Sequence, residues 1–320
     1  MRKCIIFLLF ILLVVTALSE ERALKVAMIL PGKIDDVSWN AAAYQGLEKA
    51  SKTLGIEATY VENVSATDVE RYLRRFAFLG YDLILAHSFD YGNAVLKVAK
   101  EFPNIKFGWA MGYKSASNVA IYDWYANEVG YLAGVLAAYM TKTGIIGALG
   151  SYDVPDIRRT LNGFRLGALS VNPDIKVFIT YVGTWDDPEK AKESASDQVE
   201  NGADILYADG NTMSHGVIEL AKEKGIYAIG SIADQNSLAP DTVLTSTVIN
   251  VDEVIETMIK DMKDGKFRSR YLFRLKDDGV DLSKFHNFVS VIPEEVQRKI
   301  FQIKYAIVYG KLLIPDVIRK

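Results

Sequence analysis

The sequence predicts an α/β protein of two similar, doubly wound parallel-sheet domains joined by a hinge. Three observations point to it. Short β-branched runs alternate with amphipathic helical stretches, the alternation restarts midway along the chain, and 320 residues exceed what one domain normally holds. With 50% hydrophobic and 24% charged residues, the chain has ample material for packed cores. A formal charge of −3, with no basic run or basic-aromatic stripe, argues against nucleic acid as a partner.

The first residues read as a leader. Arg2 and Lys3 precede an apolar run from Cys4 to Leu18, interrupted only by Thr16, and Ala17-Leu18-Ser19 offers small residues for cleavage after Ser19. The run is shorter than the roughly 20 residues that span a bilayer, so 1–19 is expected to be a cleavable signal peptide for export. Cys4, the only cysteine, leaves with it. The mature protein then has no thiol for disulfides or thiolate metal sites and depends on core packing.

Beyond the leader, strands are expected at 24–30, 57–61, 82–86, 106–109 and 118–122, separated by helices at 38–53, 67–79 and 92–101. The pattern starts again with strands at 145–149, 176–181, 205–207, 227–229 and 243–249 and helices near 155–170, 188–201 and 215–224. Gly80-Tyr81-Asp82-Leu83-Ile84-Leu85-Ala86 parallels Gly202-Ala203-Asp204-Ile205-Leu206-Tyr207-Ala208. Val98-Ala99-Lys100-Glu101 parallels Leu220-Ala221-Lys222-Glu223 at the same offset of 122 positions. One offset serving two segments argues for duplication.

Two such domains create a cleft. Ligands of open parallel sheets sit beyond the carboxyl ends of the strands, and two facing edges place the pocket between the domains, where hinge closure buries the ligand. The loops in question, 31–39, 87–91, 110–114, 150–155, 183–187, 209–212 and 231–235, are rich in aromatics and short polar side chains. They or the strand ends they follow carry Trp39, Phe89, Tyr91, Tyr113, Tyr152, Trp185 and Tyr207, with Asp36, Ser88, Asp153, Asp209 and Asn211. Flat rings with a few polar edges suit a flat, hydrogen-bonding ligand. Ser38 is the expected N-cap that sets Trp39 in the first helical turn, and Asp186-Asp187-Pro188 reads as a helix start.

Catalytic constellations are missing from the sequence. There is no phosphate-binding Gly-rich loop ending in Lys-Ser or Lys-Thr, no His-Glu-x-x-His and no Gly-x-Ser-x-Gly. His87, His215 and His286 are scattered; His87, at a strand end, reads as a structural histidine. The expectation is a binding protein without metal or cofactor, not an enzyme.

The run Asp35-Asp36-Val37-Ser38-Trp39-Asn40, followed by Ala43-Tyr44-Gln45-Gly46-Leu47, resembles a signature of the basic membrane protein family, the purine nucleoside receptor-like substrate-binding components of ABC transporters. Tyr131 to Ala138, Gly163-Phe164-Arg165-Leu166-Gly167-Ala168, Val171-Asn172-Pro173-Asp174 and Leu244-Thr245-Ser246 are similar to the family in the same order. The resemblance implies a type I periplasmic-binding-protein fold with three crossovers. The lobes would be 20–123 plus 250–268 and 124–249 plus 269–320, with 285–320 the segment hardest to place. It also implies a purine nucleobase or nucleoside between aromatics of both lobes, a partner permease, and a monomer in the periplasm or equivalent space. Trp39 matches the stacking aromatic of the first lobe and Tyr207 that of the second, with Trp185 a third candidate; Asp36, Ser88, Asp123, Asp209 and Asn211 fall near the ligand.

Two departures stand out. Family lipoproteins carry an acylated cysteine at the end of the apolar run, where this chain has Ser19, so a lipid anchor is not expected. Nucleoside-binding relatives, as the resemblance aligns them, hold the ribose with an acid and a lysine where this chain has Ile232 and Ile249. Either the ligand is a free base, or Asp234 replaces the missing acid. A signalling receptor and a binder of another polar solute such as a sugar are the alternatives.

Overall fold

An apolar run without polar alternation makes a strand covered on both faces, and in β1 (Lys25–Ile29) Val26 to Ile29 are fully buried. The computed structural model describes residues 22–316; the leader expected at 1–19 lies outside them. After β1 come α1 (Trp39–Leu54), β2 (Glu57–Val61), α2 (Val69–Phe78), β3 (Leu83–Ala86), α3 (Gly92–Glu101), β4 (Lys106–Ala110) and β5 (Val119–Trp124). These strands form one sheet in the order β2-β1-β3-β4-β5, parallel throughout.

The chain then builds a second lobe. α4 (Ala126–Met140) leads into β6 (Ile145–Gly150), α5 (Pro155–Val171), β7 (Lys176–Tyr181), α6 (Pro188–Glu200), β8 (Ile205–Asp209), α7 (Met213–Lys224), β9 (Tyr227–Ile232) and β10 (Val243–Ile249). Their sheet has the order β7-β6-β8-β9-β10, again parallel and the same permutation as the first. α8 (Val251–Lys263) returns to pack on α1, and β11 (Arg270–Phe273) joins the first sheet beside β5. β12 (Val280–Leu282) closes the second sheet antiparallel to β10, and α9 (Glu294–Val308) packs on α4. The chain therefore passes between lobes three times, after β5, β10 and β11. The first sheet reaches further along the chain than the boundary expected at 268, because β11 pairs in register from Arg270 opposite Ile121 to Phe273 opposite Trp124.

The helical periodicity that located α1 does not locate α4, which buries ten of its fifteen residues and is apolar almost all round. Glycines carry its packing: a Cβ on Gly134 would lie 1.9 Å from the Phe164 carbonyl oxygen of α5, and one on Gly167 of α5 would lie 2.0 Å from that of Tyr131. The backbones of α4 and α5 meet directly. One buried cluster runs through both lobes by way of α8 and α4, and two more lie beneath α2 and α3 and beneath α6 and α7.

Candidate functional site

In each sheet the second strand in sequence pairs on one side of the first and the third on the other, so the connections diverge at the carboxyl ends of β1 and β3, and of β6 and β8. These edges face a cleft of about 590 Å³ between the lobes. Its wall carries Pro31, Gly32, Asn63, Ser88, Phe89, Met111 and Trp124 from the first lobe and Asp156, Ile157, Thr160, Trp185, Asp209, Asn211, Ile232 and Ile249 from the second.

Trp39 lines the cleft because Asp36 anchors the start of α1. The Asp36 carboxylate accepts from the backbone N–H groups of Ser38, Asn40 and Ala41 at 2.9–3.0 Å and from Asn40 Nδ2 at 2.7 Å. Asp36 thus performs the capping expected of Ser38, whose hydroxyl finds no partner. The Trp39 indole Nε1 donates to the His87 carbonyl at 2.9 Å, and its ring stacks on the His87 imidazole at 4.1 Å between centroids.

The opposite wall is acidic. Asp209 ends β8 almost fully buried; burial, reinforced by Asp156, raises its carboxyl to about 7, although a hydrogen bond with Thr160 pulls the other way. Asp156, in the first turn of α5, is raised to about 6 by burial and by Asp123. A carboxyl that holds its proton more tightly folded than unfolded removes stability as pH rises from its unfolded value near 4 to its folded value. The melting temperature is therefore expected to fall between about pH 4 and 7 more steeply in the wild type than in Asp209→Asn. Superimposable pH profiles for the two proteins would contradict this.

The lobes also touch across the cleft rim. The backbone N–H of Trp39 donates to Asn211 Oδ1 at 3.3 Å, and Asn211 Nδ2 donates to Asp186 Oδ1. Buried Gln235 donates to the Val37 carbonyl at 3.2 Å and to Ser214 Oγ at 2.9 Å, while its Oε1 accepts from Ser231 N–H. The 35–39 segment is thus held by the second lobe, as in a closed arrangement. At Ile232 the chain turns sharply: φ is +70°, and Ala233 N–H donates to the Ser231 carbonyl at 2.7 Å. A β-branched residue in this region stores roughly 1–3 kcal/mol of strain, and Asn63 and Met111, also on the cleft wall, share the positive φ.

Of the side chains picked from sequence, Trp39, Asp36, Ser88, Phe89, Trp185, Asp209, Asn211, Ile232 and Ile249 come together on the cleft wall. Asp123, Tyr207 and Asp234 do not, contrary to expectation. Side chains alternate along a strand, so Trp124 reaches the cleft while Asp123 turns to Arg159 at 3.0 Å. Tyr207 lies two residues short of the end of β8, stacked on Phe164 with its hydroxyl 3.0 Å from Thr247 Oγ1. Asp234, past the turn at Ile232, pairs with His286 at 2.6 Å. Tyr91, Tyr113, Tyr152 and Asp153 also lie off the wall; the Tyr91 hydroxyl donates to the Val64 carbonyl. Asn63, Trp124, Asp156 and Thr160 were missed. The signal for the last two was Pro155 opening a helix directly after a strand, since such helix N-termini point at the cleft.

The model of the Bmp family, described as ABC transporter substrate-binding protein PnrA-like, matches residues 23–316. The chain belongs to this family. The Bmp-family chain is 36% identical over 300 residues to a purine-binding protein of Brucella abortus, covering 92% of this chain and 84% of that one. It is 31% identical over 318 residues to the nucleoside-binding protein BmpA of Lactococcus lactis, covering 92% and 89%. Among solved structures, an ABC transporter solute-binding protein of Aeropyrum pernix superposes with a TM-score of 0.78 at 25% identity, covering 91% and 94%. Bmp-family proteins are extracytoplasmic solute-binding components that bind a small molecule and serve a transporter permease. No helix among the described residues is long and apolar enough to cross a membrane.

Proposed function

We propose that this Bmp-family protein captures a purine, a free nucleobase in preference to its nucleoside, by closing its lobes around it, and presents it to an ABC permease. Export through the 1–19 leader, without a lipid anchor, and action as a monomer belong to the same reading. The observation that carries it is the makeup of the cleft wall. Trp39 and Trp185 come from different lobes, and the ionisable residues are Asp35, Asp36, Asp90, Asp156, Asp186 and Asp209 against Lys33. Indoles favour a flat ring and carboxylates favour N–H donors on its edge. The same acidity disfavours a phosphorylated ligand, because carboxylates repel phosphate. Ile232 and Ile249 give ribose hydroxyls no hydrogen-bonding side chain, and an unpaired buried hydroxyl costs about 1–3 kcal/mol. The purine-binding relative from Brucella abortus supports the ligand class.

Mass spectrometry of the small molecule that copurifies with the protein, joined to a thermal-shift screen of purines, sugars and amino acids, tests this reading. A copurifying purine and stabilisation by purine bases are expected. Stabilisation by sugars alone would overturn it.

A further inference from the structure

His87 is a fully buried histidine that the cleft wall does not include, yet it meets the wall aromatic Trp39 through both its carbonyl and its ring. It follows β3, where its N–H donates to the Ile29 carbonyl at 3.0 Å and its own carbonyl accepts from Trp39 Nε1. Its ring stacks on Trp39 at 4.1 Å and 22°, with Tyr122 at 6.0 Å and 20° and Trp124 edge-on at 6.4 Å. The Tyr122 hydroxyl sits 3.0 Å from His87 Nδ1 and fixes the rotation of the imidazole. Nε2 has no hydrogen-bond partner. Burial lowers the imidazole to about 3, so the ring is neutral under ordinary conditions and stacks without carrying a charge into the core.

The bond from Trp39 Nε1 to a backbone carbonyl would survive any substitution at position 87, and by itself it lets the indole pivot. The imidazole face removes that freedom. It covers one face of Trp39, while Trp124 meets the indole at 5.8 Å and 81° and Trp39 still lines the cleft. An apolar side chain of similar volume would avoid the orphaned Nε2, whose burial costs stability, but would lack the bond to Tyr122 that orients the ring. We infer that His87 is the positioning residue that holds the Trp39 ring ready for a stacked ligand; the inference rests on the reading of the cleft as a purine site. Preorganisation of this kind strengthens binding by removing the ordering cost at the moment of capture.

The test compares His87→Ala, His87→Phe and His87→Gln, using adenine titration and, without ligand, acrylamide quenching of Trp39 emission. The Trp39 signal is taken as the difference between each protein and its Trp39→Phe counterpart. His87→Ala is expected to bind adenine about tenfold more weakly, and its Trp39 emission to be quenched more readily than in the wild type. His87→Phe, which keeps a ring face, should stay within about threefold of wild type, while His87→Gln, which keeps a polar partner for Tyr122 but no ring, should behave like the alanine variant. Should His87→Ala fail to fold, the Phe and Gln pair decides alone. Unchanged quenching and affinity in His87→Ala, or a glutamine variant like wild type beside a weakened phenylalanine variant, would overturn the inference. Wild-type protein that ignores both adenine and guanine would instead sink the purine reading, and the quenching comparison would still decide the role of His87.

Discussion

Replacing Trp39 with alanine is expected to weaken adenine binding by about ten- to a hundredfold, equivalent to roughly 1–3 kcal/mol for a lost aromatic–base stack. The loss should exceed that caused by substitution at Trp109, although Trp109 is the more buried of the two. Trp109 lies in β4 with its indole donating to the Ser88 and Phe89 carbonyls from beneath the cleft loops, so its removal acts on stability first. Calorimetry on folded Trp39→Ala protein checks this. Unchanged affinity would reject stacking on Trp39.

The second large effect concerns stability alone. Gly134→Ala and Gly167→Ala each place a methyl group within about 2 Å of a backbone carbonyl oxygen on the partner helix, and neither α4 nor α5 can move away without opening the second lobe. Helix propensity predicts the opposite sign, a gain near 1 kcal/mol for alanine over glycine in a helix interior. Overpacking against backbone costs 1–3 kcal/mol or more, so it wins, and melting temperatures are expected to drop by several degrees. A rise in melting temperature would show that α4 and α5 do not meet as closely as described.

The duplicated sheet was legible because its strands are short apolar runs bounded by turns and its helices amphipathic, two periods that elementary geometry separates. α4 was not, since a helix buried on nearly every side has no polar face to mark its period. Its legible signal was different: Gly130 and Gly134, and Gly163 and Gly167, each four residues apart, mark two helices in close approach. β11 and β12 are four and three residues long and owe their existence to neighbours that other segments supply. At the site, strand-end loops pointed to Trp39, Asp209, Asn211 and Ile232, but the direction of each side chain depended on strand lengths that a loop boundary cannot convey. β8 runs on to Asp209, which buries Tyr207 behind the wall. β5 runs on to Trp124, which turns Asp123 toward Arg159.

Paired calorimetric titration of ligand-free protein with adenine and adenosine tests the central claim most directly, because it addresses both the ligand class and the two isoleucines on the wall. The expected result is one adenine per chain, bound more tightly than adenosine by about tenfold, the cost of ribose hydroxyls left unpaired beside Ile232 and Ile249. Adenosine binding more tightly than adenine would contradict the nucleobase reading, and binding of none of adenine, adenosine, guanine and guanosine would contradict the purine site itself.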